Sequence, residues 1–89
     1  MDLPIVFPAA SQAEKSISKL KDLEGKLVDM EIHTDFEMGA IFDRTGTIIK
    51  NTHGHYVLKE GRKHILNITK YISGKSPSIY GVKVKRIVA

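Results

Sequence analysis

The stretch IYGVKVKRI, residues 79–87, indicates how this 89-residue chain folds. Its two valines alternate with Lys83 and Lys85, and a period of two predicts a β-strand with one apolar face and one basic, solvated face. Val84 and Ile87 are three residues apart, so a bulge or sharp bend must separate them if both are to enter the core. The stretch therefore predicts the bent closing strand of a sheet.

The segments before this strand predict one helix and four further strands. Ser11 and Glu14 form a capping box, and apolar residues at helical spacing continue to Gly25, which predicts a helix over residues 11–24. Period-two patterns and turn residues then predict strands over residues 26–33, 40–50 with a turn or bulge at 43–46, 55–59 and 62–72. The last strand covers residues 79–88.

The predicted fold class is mainly β: an N-terminal α-helix followed by a five-stranded, strongly bent antiparallel small β-barrel. Closure is expected because it pairs strand edges that would otherwise aggregate. Residues 1–10 are predicted to form an extended N-terminal arm, and residues 11–89 a single domain. Ile5, Val6 and Phe7, isolated between prolines, are expected to dock on a partner or on the edge of the barrel itself.

The charge of the chain is strongly asymmetric along the sequence. Residues 1–58 contain six Lys or Arg and nine Asp or Glu, whereas residues 59–89 contain eight Lys or Arg and only Glu60. A concentrated basic region attracts polyanions such as nucleic acids. The alternative is a charged face that only keeps the protein soluble. The chain has no cysteine and its N-terminal apolar run is broken by prolines, so we predict a cytoplasmic location and no membrane partner.

Three sequence marks resemble the Sm-like family, the small β-barrels of LSm and Hfq type. They are Gly25-Lys26-Leu27-Val28, then Gly46-Thr47-Ile48 followed by Tyr56-Val57-Leu58, and finally Gly81-Val82-Lys83-Val84-Lys85-Arg86-Ile87. The segment from Arg44 to Leu58, preceded by the helix, is also similar to the Veg family of bacterial small barrels. The Sm-like resemblance implies RNA binding, and it implies a homo-oligomeric ring in which the last two strands of neighbours pair.

The same resemblance implies a nucleic-acid pocket at two loops of the barrel. The implied nucleic-acid-binding residues are His53, His55, Tyr56, Lys75, Tyr80, Gly81, Lys83, Lys85 and Arg86. Aromatic rings stack on bases for about 1–3 kcal/mol per base, and the cations neutralise phosphates. Tyr56 and Tyr80 have an alternative role as core residues whose hydroxyl groups reach the rim.

Enzymatic motifs do not occur in the sequence, so we predict no catalytic residues and no cofactor. There is no cysteine nucleophile and no glycine-rich phosphate loop before a helix. His53-Gly54-His55 lacks the spacing of known zinc motifs, and no metal is predicted. The predicted function is the binding of single-stranded RNA, or less favourably DNA. The alternative is a protein-interaction adaptor whose basic face is solubilising.

Overall fold

The computed structural model describes residues 3–8, 12–35 and 39–89. The elements in chain order are β1 (Ile5–Phe7), α1 (Ala13–Leu23), β2 (Leu27–Thr34), β3 (Ile41–Lys50), β4 (Tyr56–Glu60), β5 (Lys63–Asn67), α2 (Ile68–Ile72) and β6 (Ile79–Ile87). The prediction of a mainly β chain with one antiparallel sheet is confirmed. The helices of this described part include none long and apolar enough to cross a membrane.

The sheet has six strands in the order β1-β6-β2-β3-β4-β5, and every neighbouring pair is antiparallel. The prediction of a closed five-stranded barrel is therefore wrong in two respects. The sixth strand is β1, which lies in the predicted N-terminal arm and pairs with Val82–Val84 of β6. Within the described ranges no pairing joins β1 to β5, so these two strands remain the edges of an open sheet.

Strand β6 buries the face that the sequence predicts. Val82 and Val84 are fully buried. The register with β2 shifts between Val84 and Arg86, which makes Lys85 an extra residue and confirms the predicted bulge. Ile87 is nevertheless at the surface, although it pairs with the fully buried Val28 of β2. The expectation that the bulge brings Ile87 inside is wrong.

Strand β3 is continuous through residues 43–46, where a turn or bulge was expected. These residues pair in regular register with β2. At Thr47 the pairing partner of β3 changes from β2 to β4. At this crossing a Cβ on Gly46 would lie 2.8 Å from the carbonyl oxygen of Lys59, so only glycine allows the two strands to approach. The glycine that suggested a turn is explained by this close approach.

The predicted strand over residues 62–72 ends at Asn67, and a short helix follows. The Asn67 side chain accepts a hydrogen bond from the backbone N–H of Lys70, which is a standard helix N-cap. The apolar residues of α2 are buried in the core of the sheet. The buried Tyr71 hydroxyl donates a hydrogen bond to the carbonyl oxygen of Phe7 at 2.6 Å, so α2 also contacts β1 and stabilises its position.

Helix α1 matches the predicted helix to within two residues at either end. Ser11, the predicted cap, lies outside the described residues, and Gln12 is the N-cap residue, with a φ of 52°. Leu20 and Leu23 are fully buried and contribute to the core. The buried residues of the core are Ile5, Phe7, Leu20, Leu23, Val28, Met30, Ile32, Ile48, Tyr56, Leu58, Leu66, Ile68, Tyr71, Ile72, Val82 and Val84.

Candidate nucleic-acid interface

The residues predicted to bind nucleic acid lie in two groups. Tyr80, Gly81, Lys83, Lys85 and Arg86 belong to β6, whereas His53, His55, Tyr56 and Lys75 lie near the β3–β4 turn and α2. No hydrogen bond, ion pair or ring contact between described residues joins the two groups. Each group is therefore considered by its own contacts.

The cations of β6 contact carboxylates of β2 and β3. Lys83 Nζ lies 3.8 Å from Glu31 Oε1, Lys85 Nζ lies 2.6 Å from Asp43 Oδ1, and Arg86 Nε contacts Asp29 Oδ2. The strand register causes this, since the outward-facing acids of β2 and β3 stand beside the outward-facing bases of β6. Folding thus places part of the acidic first half of the chain against its basic last third.

The ion pairs of this outer face also set the pKa of two of its groups. Asp29 accepts hydrogen bonds from the Thr45 hydroxyl and from Arg86, and these bonds hold the pKa of its carboxyl below the ordinary value. The hydrogen bond to Asp43 raises the pKa of Lys85. Both groups are therefore stabilised in their charged forms.

We expect Asp29→Asn to lower the unfolding temperature at neutral pH and to lose this effect in acid. The folded-state pKa of Asp29 is depressed, so its stabilising contribution is present above the ordinary value of 3.8 and is lost as the pH falls through the folded value. Thermal unfolding of both proteins across this pH range, followed by circular dichroism, tests the expectation. A difference that stays constant down to strong acid would contradict it.

Tyr80 and Gly81 stand beside His33 of β2. The Tyr80 side chain is 57% exposed, and its ring contacts that of His33 edge to face at 5.8 Å between centroids. A Cβ on Gly81 would lie 3.2 Å from the Cβ of His33, so the glycine accommodates the histidine. The close approach of His33 is thus a structural reason for a glycine at this position. His33, Tyr80 and Gly81 line a shallow surface depression together with Glu31. The Glu31 carboxylate lies 2.6 Å from His33 Nε2, so an acidic group faces this depression.

The β3–β4 turn is ordered by Asn51. Its side-chain oxygen accepts hydrogen bonds from the backbone N–H groups of His53 and His55, each at 2.9 Å. The His55 ring contacts the amide nitrogen of Asn67 at 3.1 Å. Tyr56 is buried in the core and its N–H donates to the Thr69 hydroxyl, so its ring cannot stack on a base. Of its two sequence-based roles, the core role is the one observed.

Three lysines lie close to this turn. Lys50 Nζ is 5.7 Å from the centroid of the Tyr56 ring, and the N–H of Lys75 donates to the carbonyl oxygen of Lys70 at 2.9 Å. The Thr69 hydroxyl accepts a hydrogen bond from the N–H of Tyr56, and Thr69 immediately precedes Lys70. These contacts link the positions of the three lysines through β4 and α2. No carboxylate of the described chain pairs with them. We call Lys50, His53, His55, Lys70 and Lys75 the turn-end surface.

Sequence reasoning identified three members of the turn-end surface and missed Lys50 and Lys70. Lys50 ends β3, and Lys70 lies in a segment predicted to be extended, so the sequence assigned these two lysines to separate strands. The available sequence signal for the helix that carries Lys70 was Asn67, a residue type that commonly caps the start of a helix. The described residues hold no cluster of three potential metal ligands at this surface or elsewhere.

Comparison of the chain with protein-family models, with curated proteins and with solved structures gives no match. The arguments about function below therefore depend on the residues and contacts of this chain.

Proposed function

We propose that this protein binds single-stranded nucleic acid, with RNA preferred, through the turn-end surface. The observation that carries the proposal is that Lys50, Lys70 and Lys75 have no acidic partner among the described residues, while the contacts of Tyr56, Thr69 and the α2 backbone link their positions. Unpaired ammonium groups are available to phosphates, because no internal ion pair must be broken first. The preference for RNA follows the Sm-like resemblance, which we retain as part of the proposal.

The distribution of charge supports this surface over the outer face of β6. Residues 44–75 contain seven Lys or Arg and a single acid, Glu60. On the outer face, by contrast, three cations are matched by three carboxylates. A polyanion approaching the molecule is therefore attracted more strongly to β4, β5 and α2 than to β6.

The adaptor alternative loses part of its support. Of the three apolar residues of β1, Ile5 and Phe7 are buried in the core and only Val6 is exposed. The arm docks on its own sheet, so a partner would have to displace it. The proposed function involves binding without catalysis, and nucleic-acid probes should be recovered intact.

A titration of polyU and polyA at two salt concentrations tests the proposal. With three lysines on phosphates, the slope of log Kobs against log salt should be about −2, since each single-strand phosphate contact contributes about −0.7. A peptide nucleic acid of the same base sequence, which has a neutral backbone, should not bind. Absence of binding to either polymer at low salt would overturn the proposal in favour of the adaptor.

A further inference from the structure

A cleft opens where the sheet fails to close. It has a volume of about 240 Å³, and its lining includes Thr34, Phe42, Arg44, Ile65, Leu66 and Ser78. It exists because residues 41–46 of β3 pair only with β2, while β4 and β5 follow from Thr47 onward. The gap between the first half of β3 and β5 remains open to solvent.

Phe42 and Arg44 are the distinctive residues of this cleft. They lie on the same face of β3 because strand residues alternate, and this face is the inner one, as the burial of Ile48 shows. The Phe42 side chain is 38% exposed, and the guanidinium carbon of Arg44 lies 5.3 Å from the centroid of its ring. An accessible aromatic ring beside a cation is the arrangement that single-strand binding proteins use for bases.

Two cations next to the cleft are placed to contact a phosphate. A polar recess shares Arg44 and Ile65 with the cleft and adds Lys63, together with the carboxylates of Asp43 and Glu60. Asp43 is already paired with Lys85. The volume of the cleft is below the roughly 300–1,000 Å³ of pockets for drug-sized ligands, so it suits one ring system.

We propose that this cleft holds one unpaired nucleobase stacked on Phe42, with Arg44 and Lys63 on the adjoining phosphate. The inference rests on the proposed function and extends it to a base subsite. Continuity supports it: Leu66 lines the cleft, and the next residue, Asn67, contacts His55 of the turn-end surface. The hydroxyl group of Ser78 supplies a hydrogen-bonding group at the wall for the edge of the base, whereas the buried Thr34 hydroxyl already donates to the carbonyl oxygen of Ala40 at 3.4 Å.

The test uses Phe42→Ala and Phe42→Leu with a U-rich oligonucleotide and an abasic oligonucleotide of equal length. Both variants should weaken binding of the U-rich strand by about fivefold to 150-fold, the value of one stacked base, and should leave binding of the abasic strand unchanged. Each variant is first checked for a thermal transition like that of the parent, because Phe42 is outside the buried core.

Phe42→Trp provides a second readout, because the chain contains no tryptophan. Its fluorescence should be quenched by the U-rich strand and not by the abasic strand. If the parent binds both strands equally, the base subsite is refuted while the proposed function stands. If the parent binds neither strand, the proposed function itself fails. Quenching by an apolar peptide and not by the oligonucleotide would overturn the inference and assign the cleft to a protein partner.

Discussion

Val84→Asp is expected to abolish the cooperative unfolding transition of this protein. Val84 is fully buried and stands between two strands, opposite Ile5 of β1 and Met30 of β2. The substitution removes about 1.5–3 kcal/mol of apolar burial and places a carboxylate without a partner in the core, which costs several kcal/mol more. The total approaches the roughly 5–15 kcal/mol by which small domains are stable. Circular dichroism during heating measures the result.

Two further substitutions make this expectation specific to the buried face of β6. Val88→Asp introduces the same chemistry at a side chain that is 49% exposed, and it should leave the transition close to that of the parent. Val84→Thr keeps the shape and buries only a hydroxyl group, so its unfolding temperature should be intermediate. Equal unfolding temperatures for Val84→Asp and Val88→Asp would show that Val84 is not in the core.

Local patterns predicted the elements whose conformation depends on their own residues. The alternation around Val84 gave the buried face of β6 and its bulge, and the apolar spacing of α1 gave that helix. Both signals are repeated over several residues, and tertiary contacts reinforce them. The burial of Leu20 and Leu23 follows from the same spacing.

Elements that depend on distant partners were predicted less well. Residues 43–46 have a turn-like composition, but their pairing with β2 overrides that local preference. The β-favouring residues of 68–72 instead form a helix, because the Asn67 side chain caps it and the core accepts its apolar face. Docking of β1 on β6 joins residues more than seventy positions apart. The apolar run between prolines predicted that this segment docks on a partner or on the edge of the barrel, but it did not indicate the strand with which it pairs.

The prediction of the candidate site was limited in the same way, because local sequence does not show which charged residues pair in the folded protein. The Sm-like resemblance implied that Lys83, Lys85 and Arg86 contact phosphates, and no acid lies near these residues in the sequence. The acids that neutralise them come from β2 and β3, and only the strand register brings these together. Lys50, Lys70 and Lys75 are among the cations of the described chain that have no such partner, and only Lys75 of these three was predicted from the sequence.

Lys70→Glu with Lys75→Glu is expected to cause the largest loss of nucleic-acid affinity among charge changes of equal size. Each charge-assisted contact is worth about 1.5–3 kcal/mol, so each lost lysine contact should weaken binding by about tenfold or more. The slope of log Kobs against log salt should become shallower by about 1.4, because two phosphate contacts are lost. Both side chains are exposed, so thermal unfolding should change little.

The matched control is Lys83→Glu with Lys85→Glu, which alters the net charge by the same amount. Here the new carboxylates face Glu31 and Asp43, so we expect a lower unfolding temperature together with nearly unchanged RNA affinity. The general attraction of the molecule for polyanions falls equally in both double variants, so a difference between them reports local contacts. If the Lys83 and Lys85 variant loses more affinity while remaining folded, the interface lies on β6 and the turn-end surface is refuted.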